Sequence, residues 1–226
     1  EYPLYSPHPG WSEQNPEDMW QASAEAVRGV LGKFQVAPED VAGLGLSGQM
    51  HSSVFLDDNY QVIRPAILWN AVRTTAQCRR IEATVDAEVL REEVCNPVLE
   101  GFTLPKVVWL KENEPENYVK LRWLVLPKDY VRFRLTGQLA MEVSDAAGML
   151  MMNVRQRVWS KPVLEPLGID PEILPPIIGS AEVGGTISGE AAEATGLKPG
   201  TPVVGGGADN ACGAVGSGVV LPGRGM

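Results

Sequence analysis

The sequence predicts an α/β protein with a mixed sheet flanked by helices. Three observations carry that reading. Short apolar runs stop at glycine or polar residues, as in residues 41–46 before Ser47-Gly48 and Val203-Val204 before Gly205-Gly206-Gly207. That is the pattern of buried strands feeding tight turns. Capped stretches with helical apolar spacing alternate with these runs. Asp57-Asp58-Asn59, between residues 53–56 and 60–63, reads as a hairpin and makes the sheet mixed rather than purely parallel.

Along the chain, residues 1–14 are rich in proline and aromatics and read as extended. Asn15-Pro16-Glu17-Asp18 opens a helix: a cap, proline at the first helical position, then acids in the first turn. Trp20, Ala24, Val27 and Leu31 follow at helical spacing. Residues 65–69 form a strand ending at Asn70, and helices cover 73–84 and 104–113. A strand at 123–126 precedes a helix at 129–135 that Gly137 stops. Strands at 138–143 and 149–154 bracket Ser144-Asp145-Ala146-Ala147-Gly148, read as a turn. Helices at 159–167 and 189–195, the second between Ser188 and Gly196, are joined by the proline-rich stretch 173–178. Residues 211–218 read as a closely packed helix of small residues.

Composition excludes several classes. A net charge of -9 argues against a nucleic-acid binder or an anionic membrane surface. No apolar run is long enough to span a bilayer, and the polar opening Glu1-Tyr2-Pro3 is not a signal peptide. Cys78, Cys95 and Cys212 lack metal-ligand spacing and have only His8 and His51 to help them, so no metal site is expected. A reducing cytoplasm is the natural compartment. Both ends read as cut, so the chain is expected to be part of a longer protein.

Polar groups gather at three strand ends: Gln49-Met50-His51, Trp69-Asn70 and Asp209-Asn210. In open α/β sheets ligands sit outside the carboxyl ends of strands. Amides and imidazole suit hydroxyl groups, and indole suits the apolar face of a sugar. Asp209 reads either as a helix cap or as a carboxylate able to take a proton from a bound hydroxyl. His51 reads as a core histidine or a hydroxyl partner, and Trp69 as core packing or a sugar face. No Walker loop, dinucleotide fingerprint or serine-hydrolase elbow occurs.

Gly101-Phe102-Thr103-Leu104-Pro105-Lys106-Val107-Val108-Trp109-Leu110-Lys111-Glu112-Asn113 resembles the first signature of the FGGY carbohydrate kinases at every constrained position. Ser47–His51, Pro65–Asn70, Leu126–Tyr130 and Ser144–Gly148 are similar to further stretches of that family, as is the glycine turn before Asp209. The resemblance implies a ribonuclease H-like, actin-like domain: residues 1–216 as the N-terminal, sugar-binding domain, and 217–226 as the start of the connection to a C-terminal ATP-binding domain. It implies ATP and Mg²⁺ as cofactors, a small-molecule sugar as substrate, a cytoplasmic enzyme and, often, a homodimer. It implies phosphoryl transfer to the terminal hydroxyl of a ketopentose, D-xylulose first, with ribulose or gluconate kinases and a non-catalytic sugar binder as rivals. Asp209 would be the catalytic base. Gln49, Met50, His51, Trp69, Asn70 and Asn210 would bind substrate. Ala71 stands where an acid is usual, which leaves Arg73 in need of a partner. The family's phosphate loops are expected before Glu1 and after Met226.

Overall fold

The structure, a computed structural model, describes residues 2–225. Its strands are short and pair both ways. Ser47–Gly48 runs parallel to Gly207–Ala208, with Gly207 opposite Ser47 and Ala208 opposite Gly48. A parallel bridge between Leu44 and Val203 extends the same alignment. Pro202–Val204 also pairs antiparallel with Val183–Thr186. Met141–Glu142 lies parallel to Ile177–Ile178. Val54–Leu56 pairs antiparallel with Trp123–Val125, and Ala66–Ile67 with Glu13–Gln14.

Local chemistry accounts for the best-defined helices. The Asn15 side chain accepts the Glu17 N–H at 3.1 Å and starts helix Pro16–Phe34, which buries Met19, Trp20 and Ala24. Ser188 accepts the Ala191 N–H at 3.1 Å at the head of helix Gly189–Thr195, and Gly196 ends it in the left-handed conformation. Gly137 ends helix Pro127–Thr136 in the same way. The Asp57 carboxylate accepts the Asn59 and Gln61 N–H groups, each at 2.8 Å, and closes the expected hairpin. Helix Thr103–Asn113 is enclosed on all sides through Leu110. Leu104, Val107 and Leu110 are fully buried there, each worth about 1.5–3 kcal/mol of burial free energy.

Several expectations are corrected. Residues 41–46 are not a buried strand: Leu44 makes a single bridge, and Gly43 and Gly45 are exposed. The regular pairing starts only at Ser47. Residues 144–148 are not a hairpin turn. The Glu142 carboxylate accepts the Ser144 N–H at 2.9 Å and the Asp145 N–H at 3.2 Å, and so starts a short helix, Val143–Ala147. The flanking strands then pair elsewhere, Met152–Asn153 with Val158–Trp159. That second pairing takes Trp159 out of the expected helix, which begins at Lys161. The helix beyond the glycine turn begins at Asp209 rather than Ala211.

Candidate functional site

The parallel register puts two expected strand ends side by side. Gly48 and Ala208 are direct partners, so Gln49 and Asp209 leave the same edge together. Only glycine fits the turn that permits this: Gly206 has φ +81°, and a Cβ there would lie 2.1 Å from the Leu46 carbonyl oxygen. Asp209 is exposed and occupies the first position of helix Asp209–Gly216. Ala208 is the cap residue, and the Asp209 Oδ1 accepts only the neighbouring Asn210 N–H, at 2.8 Å. The cap reading of Asp209 therefore fails, and its carboxylate faces solvent beside the partial positive charge of a helix start.

His51 is half-buried with φ +67°, an uncommon conformation for a residue with a side chain. Its Nδ1 lies 2.7 Å from the Gly148 carbonyl oxygen, and its ring stands 4.4 Å from that of Phe102. A carbonyl can only accept, so Nδ1 carries the hydrogen and Nε2 is left as an acceptor for a hydroxyl. Burial pushes the imidazole below its usual 6.5. The Gly148 hydrogen bond pulls it back up, the Lys106 cation lowers it, and the Asp209 carboxylate raises it. The Met50 methyl lies over Gly148.

Trp69 is 54 % exposed, so it is not a core residue. Its main-chain N–H donates to the Ser52 Oγ at 3.0 Å, and that hydroxyl donates to the Gln49 Oε1 at 2.7 Å. The chain Gln49–Ser52–Trp69 thus joins the first and second strand ends. Asn70 is exposed, and Asn210 is exposed on the helix turn with Asp209. Ala71 is buried, and Arg73 has a partner: its Nη1 lies 2.6 Å from Glu13 and its guanidinium 3.7 Å from the Trp11 ring centroid.

Behind the glycine turn lies a buried ionic cluster that the sequence reading missed. The Lys128 ammonium donates to the Gly205 carbonyl at 3.1 Å and lies 3.2 Å from Asp129, 3.3 Å from Asp145 and 3.8 Å from Glu142, all fully buried. Arg132 lies 3.3 Å from Asp129 and donates to the Ala140 carbonyl at 2.5 Å. Two cations face three carboxylates, which leaves the buried cluster one positive charge short. Burial is the main reason that Asp145 is pushed up to about 8. Burial is also the largest effect on Glu142 and acts upward, but hydrogen bonds from Ser144 and Ser180 and the Lys128 charge outweigh it and leave its pKa lowered. Glu142 then holds the Ser144 hydroxyl at 2.6 Å, and that hydroxyl accepts the Ala208 N–H at 2.9 Å. The cluster therefore grips the strand just before Asp209 from both Gly205 and Ala208.

The fold is that of an α/β domain in which Gln49–His51 and Asp209–Asn210 leave one sheet edge and the Ser52 hydroxyl ties the Trp69–Asn70 segment to Gln49. The model of the FGGY family of carbohydrate kinases, N-terminal domain, matches residues 1–216. The chain is 46 % identical over 223 residues to the xylulose kinase of Bacillus subtilis (strain 168), covering 99 % of this chain and 44 % of that protein. It is 43 % identical to the xylulose kinase of Lactococcus lactis subsp. lactis (strain IL1403), covering 97 % and 44 %. The crystal structure of xylulose kinase from Rhodospirillum rubrum superposes with a TM-score of 0.92 at 27 % identity, over 98 % of this chain and 46 % of that one. The chain belongs to the FGGY carbohydrate kinase family, and its mixed α/β architecture is the actin-like fold of that family. It spans less than half the length of the curated relatives that it matches.

Proposed function

We propose that this chain is the sugar-binding domain of an ATP-dependent kinase that phosphorylates the terminal hydroxyl of D-xylulose, giving D-xylulose 5-phosphate. The observation that carries the proposal is the parallel pairing of Gly48 with Ala208, which sets the Asp209 carboxylate beside the Gln49–His51 strand end. In this reading Asp209 takes the proton of the attacking hydroxyl. The His51 Nε2 and Gln49 bind sugar hydroxyls, with Asn70 and Asn210 at the rim. Trp69 and the Met50 methyl cover the carbon chain. Phosphoryl transfer asks mainly for such alignment and for screening of charge.

ATP would supply the phosphoryl group and Mg²⁺ the screening of its charge. The residues described do not form a holder for either. No group of three or more His, Cys, Asp or Glu among them converges on a metal position, and Asp209 occupies the helix N-terminus where a phosphate would be favoured. No described helix is long and apolar enough to cross a membrane. The three free cysteines favour a reducing, cytoplasmic setting. A sugar acid such as gluconate is disfavoured. The nearby cations are committed elsewhere, Arg73 to Glu13 and Lys106 to main-chain carbonyls.

The test is an ADP-release assay on the intact protein with D-xylulose, ribulose and gluconate. D-xylulose is expected to give the highest kcat/KM. Asp209→Asn should lower kcat by a factor on the order of 10²–10⁴ with sugar affinity held within a few-fold. A protein that turns over none of these sugars, or a variant with wild-type kcat, rejects the assignment.

A further inference from the structure

The family signature contains a residue that the proposed chemistry does not use. Lys106 is fully buried in helix Thr103–Asn113, between Leu104 and Val107. Its ammonium meets no carboxylate among the described residues. It donates instead to three main-chain carbonyls: His51 at 2.9 Å, Phe102 at 3.1 Å, and Gly101. Three donors thus meet three acceptors.

Stability does not explain this arrangement. Burying a cation is costly, and an apolar side chain of similar volume usually serves a core at least as well. A cation in the first turns of a helix also opposes the helix dipole. Burial, with repulsion from Arg73, pushes the ammonium down to about 7.

The acceptors show what the lysine joins. The His51 carbonyl also receives the Thr103 hydroxyl at 3.1 Å, so two side chains of one helix fix a residue whose φ is +67°. The Gly101 backbone lies directly on the Trp69 carbonyl, which a Cβ at Gly101 would approach to 2.9 Å. His51 and Trp69 belong to different strand ends, and both are referred to the same helix start.

We propose that Lys106 is a positioning residue for sugar recognition. Its buried ammonium locks the His51 main chain, and through Gly101 the Trp69 segment, into the arrangement that meets the sugar. The proposal rests on the sugar-kinase reading above and assigns a task to the Gly101–Asn113 signature.

The test uses the intact kinase with D-xylulose as the varied substrate. Lys106→Met keeps an unbranched apolar side chain one atom shorter and removes every donor. Its KM for D-xylulose should rise about tenfold or more, as expected for the loss of several hydrogen bonds. Its kcat at saturating sugar should stay within threefold of wild type. Leu197→Ala, a core truncation under a different helix, serves as the stability control and should leave KM unchanged at a comparable loss of Tm. Thr103→Val, a near-isostere that keeps Lys106, covers the case in which Lys106→Met does not fold, and should raise KM by roughly threefold to fivefold. A Lys106→Met or Thr103→Val enzyme with KM within 1.5-fold of wild type overturns the inference, as does an equal rise in the Leu197→Ala control. A wild-type protein that phosphorylates no sugar overturns the kinase reading itself, a result distinguishable from the first.

Discussion

Lys128→Met would take the central cation out of the cluster behind the glycine turn. In the wild type its ammonium serves Asp129, Asp145, Glu142 and the Gly205 carbonyl at 3.1–3.8 Å, with every side chain fully buried. Methionine fills much the same volume but leaves Arg132 alone against three carboxylates. Breaking a buried ion pair by removing one partner costs about 3–5 kcal/mol. Folding free energies of domains are about 5–15 kcal/mol, so the loss is a large fraction of the total. At about 2–4 °C per kcal/mol for a domain of this size, Tm should fall by about 6–20 °C at pH 7. The loss should grow as pH rises, because the stranded carboxylates must either ionise unpaired or hold protons that the unfolded chain releases. Calorimetric melting between pH 5 and 9 measures both effects. A second substitution, Asp145→Asn, removes one of the stranded acids and should restore part of the loss. A fall of less than 3 °C, independent of pH, would show that the cluster is not the electrostatic unit described.

Three further outcomes follow from the same geometry. Asp145→Asn alone should flatten the dependence of Tm on pH. The wild-type carboxyl is pushed up to about 8 from 3.8, so the native state holds a proton that the unfolded state loses, and stability falls as pH rises between those values. The variant should accordingly be the more stable protein at pH 8, as read by thermal melting. Gly206→Ala should cost more than about 3 kcal/mol and abolish sugar turnover, since both φ and a backbone carbonyl forbid the new Cβ; chemical denaturation and the ADP-release assay check the two parts. Gly137→Ala should cost only about 1 kcal/mol in denaturant titration, because the helix stop needs a left-handed residue but the space around it is open.

What was legible in the chain is what short-range chemistry writes there. Asn15, Ser188 and Gly196 specify helix ends through bonds to their own neighbours, so residues 16–34 and 189–195 were readable. The glycine turn and its acid pointed to Asp209 for the same reason. Segment 144–148 was misread because its cap is Glu142, a residue seldom found in that role. Trp159 was misread because its strand partner and the Pro175 carbonyl that its indole meets at 2.8 Å are set by tertiary packing. Lys106 and Lys128 were missed because the partners that tie them to the site, His51 for one and Gly205 for the other, lie on distant segments. A lysine set among Leu104, Pro105, Val107 and Val108 was the one local hint.

The pairing of Ser47–Gly48 with Gly207–Ala208 joins segments roughly 160 residues apart. A ribosome covers that stretch in roughly 8–30 s. Throughout that interval the Gln49–His51 strand end has been made, but the strand that precedes Asp209 has not. The nascent chain therefore carries an open strand edge, of the kind that invites association with other chains, until the segment around Gly207 emerges. Slow or interrupted synthesis between the two segments would expose that edge for longer.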